Sequence, residues 1–169
     1  MTASARAEIT SEDLEASVRR TLERAIARNI PGLAPLPQTE SDLDVGPTPK
    51  EMVYSNETAR LYHYLPTQDE IYRVPVLIVM SPVAKGYILD LAKGQSLIEY
   101  LVMQGHDVYM LEWAAPRRDQ SHLSLDNYVN DLLGGCIEAV QRDSGETEVT
   151  LVGYCMGGML SLMYTALNP

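Results

Sequence analysis

Hydrophobic and polar positions follow three regimes along the chain. Between Ile9 and Ile30, Leu14, Val18, Leu22 and Ile26 recur every fourth residue and form one apolar stripe, the spacing of an amphipathic helix. Thr10 or Ser11 can cap it, with Glu12, Asp13 and Glu15 in the first turn and Arg19, Arg20, Arg24 and Arg28 later, so the charges complement the helix dipole. The spacing predicts an amphipathic helix over residues 1–30, packed on its own domain or forming a seam with a partner. Residues 31–49 lose all periodicity. Five prolines, two glycines and the acidic group Glu40, Asp42 and Asp44 predict an extended or disordered linker there.

From residue 50 to residue 169 the pattern is that of an α/β domain. Met52–Tyr54 and Ala59–Leu65 read as a hairpin across Ser55–Thr58, with Leu61, His63 and Leu65 on one face and Tyr62 and Tyr64 on the other. Val74–Met80 is an almost unbroken apolar run, as expected of a strand buried on both faces, and Pro75 sits at its start, where a missing N–H is tolerated. A helix over Gln95–Gln104 ends at Gly105, and Asp107–Trp113 is the next strand. A further helix opens at Ser124 or Asp126 and runs to Asp143; Glu148–Tyr154 is a last strand and Met159–Leu167 a last helix. Strands alternating with helices predict a mostly parallel sheet with flanking helices.

Composition narrows the function classes. The chain has 169 residues, 46% of them hydrophobic, enough for one domain with a substantial core. A net charge of −10 argues against nucleic acid as a partner, because phosphate binding needs clustered Lys and Arg. No stretch approaches the roughly 20 apolar residues of a membrane span, and Met1–Arg20 lacks the apolar core of a secretory signal. Two cysteines, Cys136 and Cys155, cannot build a disulfide framework, so a reducing cytoplasm is the expected compartment. Neither a metal nor a cofactor is expected.

The chemistry concentrates in Thr150–Gly158, where an apolar strand runs into Gly153-Tyr154-Cys155-Met156-Gly157-Gly158 and then a small-residue helix. A nucleophile that projects from the carboxyl edge of a sheet must sit on a sharp strand-to-helix turn. Gly153 and Gly157 are expected to relieve the clashes of that turn, and Gly158 to let the helix lie close to the sheet. Cys155 then occupies a helix N-terminus, where unpaired N–H groups favour negative charge on sulfur. An oxyanion hole should use the backbone N–H of Met156 and one from the loop Ser81–Gly86 after the first buried strand, with Val83 chosen over Ala84 as its donor. Cys136 lies mid-helix beside Gly134 and Gly135, and reads as a packed core residue on a helix that approaches its neighbours closely.

Five segments in order now resemble one family, the polyhydroxyalkanoate synthases, and most of all the short-subunit type that works with a companion subunit. They are Glu51–Tyr54 with Ala59–Tyr64, then Pro82–Leu91, Gly105–Trp113 with Pro116, Leu123–Tyr128, and the Gly-x-Cys-x-Gly-Gly box. The resemblance implies the first half of an α/β-hydrolase catalytic domain. It implies an acyltransferase that moves (R)-3-hydroxyacyl groups from coenzyme A thioesters onto a growing polyester, held as a thioester on Cys155. Acyl-CoA is then a substrate rather than a cofactor, a companion subunit or a second copy is the partner, and the polyester granule surface is the place of work. Arg117 follows Pro116 where the family often has Asp.

The family's general base and its orienting carboxylate lie downstream of the nucleophile, beyond Pro169. His63 in the hairpin reads as a strand residue. His106 should fall at the amino edge, opposite the elbow, and His122, in the loop after Trp113, on the elbow's own edge. The chain is therefore expected to be an N-terminal portion of a synthase, inactive or nearly so alone. Two alternatives are a cysteine hydrolase acting on esters or lactones, with water as acceptor, and a non-catalytic granule-associated fragment that docks through the Leu14/Val18/Leu22/Ile26 stripe.

Overall fold

The structure, a computed structural model, describes residues 45–169. The helix expected over residues 1–30 and linker residues 31–44 lie outside the described residues.

The chain enters a hairpin, β1 (Lys50–Asn56) and β2 (Ala59–Tyr64), closed by the two residues Glu57 and Thr58. β3 (Val76–Val79) follows, then a short ribbon of β4 (Asp90–Ala92) and β5 (Gln95–Ser96) that leads into helix α1 (Leu97–Met103). β6 (Val108–Trp113) is followed by a π-helical segment, Asn127–Leu133, continuous with α2 (Gly134–Ser144). β7 (Thr150–Gly153) then delivers the chain to α3 (Met156–Leu167).

Five strands form one sheet in the order β1-β2-β6-β3-β7. The sheet is mixed: β6, β3 and β7 run parallel, and the hairpin joins β6 through an antiparallel pairing of β2. The apolar run expected to be buried on both faces is so, since Val76, Leu77, Ile78 and Val79 are all buried. The helices complete the core with Ile98 and Val102 from α1, Leu132, Leu133, Cys136 and Val140 from the π-helical segment and α2, and Leu160 from α3. Cys136 is fully buried, as its mid-helix position suggested.

Register decides where the loops gather. Val79 pairs with both Leu111 and Gly153, while Val76 pairs with Val108 and Thr150 at the other end. The turns that leave β3, β6 and β7 therefore open on one carboxyl edge, the usual location of a site in such sheets. Ala59 pairs with Trp113, so the Glu57–Thr58 turn joins the same edge.

Two local features depart from the sequence reading. The linker expected over residues 31–49 includes residues 45–49, yet Thr48 is buried and bound to Asp90. The Asp90 carboxylate accepts the Thr48 amide (3.1 Å), the Thr48 hydroxyl (2.8 Å) and the Ser96 hydroxyl (2.6 Å), and the Asp90 carbonyl accepts the Gly46 amide. A fully buried carboxylate is tolerated only when donors surround it, and this cluster fastens the segment before β1 to the β4–β5 ribbon. Asp90→Ala takes the carboxylate acceptor from three donors, leaving the Thr48 amide and hydroxyl unpaired, and is expected to destabilise the domain by about 3 kcal/mol, measured by urea unfolding. Ser96→Ala, which also removes the cap that accepts the Glu99 amide at α1, should cost about 1 kcal/mol.

The second departure is the π-helical segment, expected as ordinary α-helix. Just after it, a Cβ on Gly135 would approach the Tyr54 hydroxyl to 2.8 Å and one on Gly134 would lie 3.3 Å from the Tyr164 ring. The paired glycines thus mark where this helix meets aromatic side chains of β1 and α3.

Candidate active site

Cys155 stands between the last residue of β7 and the first turn of α3, with φ 56° and ψ −121°. A non-glycine residue with positive φ is uncommon, and such strain concentrates where a side chain must point in a set direction. The turn is pinned on both sides: the Tyr154 amide donates to the Val79 carbonyl (2.9 Å), Gly157 N–H to the Tyr154 carbonyl (2.9 Å) and Gly158 N–H to the Cys155 carbonyl (3.0 Å). Cys155 is exposed. The Met156 amide, first in α3, has no acceptor among the described residues.

The glycines of the box differ in what they do. A Cβ on Gly153 would overlap the Gly158 backbone, and one on Gly157 would overlap the Val79 carbonyl oxygen. At Gly158 a Cβ would rest 3.4 Å from the Gly153 carbonyl oxygen, an ordinary contact. Gly158, expected to let α3 lie close to the sheet, offers its backbone as the surface that Gly153 approaches, and its own Cα has room for a Cβ.

The loop after β3 folds as a turn in which the Ala84 amide donates to the Ser81 carbonyl at 3.0 Å. The Val83 amide makes only a long contact, 3.4 Å, with the Ser81 hydroxyl, and the Val83 side chain is exposed. Beyond the turn, Gly86 lies against Glu112 and Met110 so closely that a Cβ would overlap the Glu112 carboxylate. Lys50 holds that carboxylate at 3.1 Å. At the start of the loop the Trp113 indole N–H donates to the Met80 carbonyl at 2.8 Å.

None of the three histidines hydrogen-bonds Cys155 among the described residues. His63 is clamped between Asp107 (2.7 Å) and Asp143 (3.3 Å) and stacks on Tyr109 with ring centroids 4.1 Å apart. It pairs across the strands with Tyr109 and so lies near the amino edge, away from the elbow. The Tyr109 hydroxyl donates to Asp143; burial first, and then that bond, raise its pKa well above the usual phenol value. His106, just ahead of β6, leans on Tyr72 with centroids 4.9 Å apart. His122 is exposed after β6, with Nδ1 3.1 Å from the Asp119 carbonyl oxygen. Arg117 in the same loop forks onto the Asp119 carboxylate at 3.1 and 3.2 Å, which lowers that carboxyl's pKa, foremost through the hydrogen bond.

Comparison with known proteins fits this arrangement. Residues 20–101 match the model of the N-terminus of poly-beta-hydroxybutyrate polymerase (PhaC), and residues 86–169 match the alpha/beta hydrolase fold. Over 132 residues the chain is 43% identical to the poly(3-hydroxyalkanoate) polymerase subunit PhaC of Haloferax mediterranei, covering 78% of this chain and 27% of the relative. The subunit of the same name from Synechocystis sp. is 38% identical over 130 residues, 77% of this chain and 34% of the relative. That from Cupriavidus necator is 32% identical over 154 residues, 88% of this chain and 25% of the relative. The chain belongs to the poly(3-hydroxyalkanoate) polymerase family. It spans about a quarter to a third of the length of these relatives.

Within this polymerase family segment the two thiols are chemically distinct. Burial pushes Cys136 up to about 12, whereas Cys155 is exposed at a helix terminus. A disulfide reagent at pH 8 is expected to titrate one thiol in the folded chain and two after denaturation, and peptide mapping should find the first label on Cys155. The sequence reading passed over Trp113 and the Lys50–Glu112 pair as parts of the site. Trp113 carried a usable signal, as the single tryptophan at the end of a strand expected to be buried, since a buried indole N–H usually needs an acceptor. The ion pair joins residues from two distant strands, and no local pattern announces it.

Proposed function

We propose that this chain carries the acyl-loading apparatus of a polyester synthase of the short-subunit type. Cys155 Sγ attacks the thioester carbonyl of an (R)-3-hydroxyacyl-CoA. The sulfur–carbon bond to Cys155 forms, the bond to the coenzyme A sulfur breaks, and coenzyme A leaves as the thiol once it takes up the proton lost from Cys155. Thioester exchanged for thioester is nearly isoenergetic, so the acyl group stays activated for attack by the hydroxyl of the next unit. The developing oxyanion is met by the Met156 and Val83 amides. Supporting that assignment, the Ala84 amide is already committed to the Ser81 carbonyl while the Met156 amide is unpaired among the described residues.

The observation that carries the reading is an exposed cysteine held at positive φ on the strand-to-helix turn, in a chain of this family. No cofactor or metal is required for the exchange. The relatives are named as subunits, which supports a companion subunit as partner, with a second copy as the alternative. A cytoplasmic site at the polyester granule surface follows from an insoluble product. Proton removal from the thiol is not assigned to His63, His106 or His122.

The test is single loading rather than turnover. Incubation with 3-hydroxybutyryl-CoA followed by acid quench and peptide mass spectrometry should find one 3-hydroxybutyryl thioester on Cys155 and an equal amount of free coenzyme A. Loading should be faster than in the urea-unfolded chain. Soluble 3-hydroxybutyrate accumulating in place of the adduct would favour a hydrolase, and no reaction above the unfolded control would defeat both enzyme readings.

A further inference from the structure

We propose that Trp113 is a positioning residue for the oxyanion loop, acting through the carbonyl of Met80; the catalytic part of this inference rests on the acyl-transfer reading above. The backbone ladder between β3 and β6 ends where the Met80 amide donates to the Leu111 carbonyl at 3.1 Å. The next acceptor on that edge, the Met80 carbonyl, is taken by a side chain, the Trp113 indole N–H, at 2.8 Å in a buried setting.

That carbonyl belongs to the peptide that joins Met80 to Ser81, so fixing it fixes the plane from which the loop departs. Ser81 is fully buried and supplies both acceptors inside the turn, its carbonyl for Ala84 and its hydroxyl for Val83. The path from Trp113 to the Val83 amide therefore crosses one peptide and one turn. The same stretch of backbone faces the elbow, because Gly157 packs against the Val79 and Met80 carbonyls. Trp113 on one side and Gly157 on the other thus set the spacing between the loop donor and the helix donor. The indole is itself held: it is almost completely buried and tilts against Tyr128 of the π-helical segment, with ring centroids 5.1 Å apart at 49°.

The decisive variant keeps the ring and removes only the N–H, by placing 3-benzothienylalanine at position 113 of the full 169-residue chain; Trp113→Phe is the second. Three quantities are measured: amide hydrogen exchange at Ala84, alkylation of Cys155 by iodoacetamide, and loading from 3-hydroxybutyryl-CoA. Loss of the indole donor should speed Ala84 exchange about tenfold, with exchange at Leu77 and Ile78 unchanged. Alkylation, which needs no oxyanion donor, should keep its rate, while loading slows about tenfold. A merely structural role would slow alkylation and loading together and raise exchange in β3 as well, which overturns the proposal, as does unchanged exchange at Ala84. If the unsubstituted chain takes no acyl group, the acyl-transfer reading fails instead, and exchange at Ala84 still decides whether Trp113 positions the loop.

Discussion

Cys155→Ala is expected to abolish acyl loading of the folded chain, since the other thiol is buried and no other group can replace the nucleophile. The melting temperature should hardly change. The thiol is exposed, so little packing is lost with it, and alanine retains the Cβ that disfavours positive φ, so the local strain stays as it was. Cys136→Ala should behave in the opposite manner. Its sulfur is fully buried in the core and far from ionisation, so loading should persist while stability falls by about 1 kcal/mol. Loading by the Cys155→Ala chain at an undiminished rate would remove the basis for the proposed function.

Gly157→Ala should cause a large loss of stability. Its Cβ would overlap the Val79 carbonyl oxygen and come within 2.8 Å of that of Met80. Both atoms are backbone, of the last residue of β3 and of the residue that follows it, and β3 is buried along its length and paired on both sides, so neither can step aside as the end of a side chain would. Overpacking against immovable backbone falls in the severe class of core substitutions, and about 3–5 kcal/mol is expected. That is a large part of the 5–15 kcal/mol that typically holds a domain together. The adjacent Gly158→Ala should do the reverse. Its Cβ meets only an ordinary 3.4 Å contact, and alanine in a helix is favoured over glycine by up to about 1 kcal/mol. Thermal unfolding of both variants checks the pair. Equal melting temperatures would mean that the elbow yields more easily than its geometry implies.

Local patterns made most of the fold legible. The run from Val74 to Met80 announced β3, Gly105 ended α1 with φ +83°, and the box around Cys155 announced the turn from β7 into α3. In each case the signal lies within a few residues of what it specifies. The segments resembling the polymerase family pointed to the family that comparison also shows. What stayed hidden depends on partners distant in sequence. Thr48 sits in a proline-rich stretch that looks unstructured, and only the buried carboxylate of Asp90, 42 positions away, makes it part of the core. His63 reads as a plain strand residue, yet it is gripped by Asp107 and Asp143, 44 and 80 positions further on. The π-helical segment has no simple sequence code, because one residue more per turn blurs the apolar spacing without breaking it. Gly158 shows the opposite failure: a glycine that matches the motif need not be one the packing requires.

The backbone at Cys155 places selection for stability and selection for chemistry in opposition at a single codon. A side chain held at φ 56° and ψ −121° carries strain on the order of 1–3 kcal/mol, and glycine alone adopts that region freely. Cys155→Gly should therefore melt at a higher temperature than the unsubstituted chain while losing every trace of acyl loading. A directed-evolution screen for heat resistance, blind to catalysis, would drift toward glycine at 155, and cysteine there would survive only while acyl transfer was also under selection.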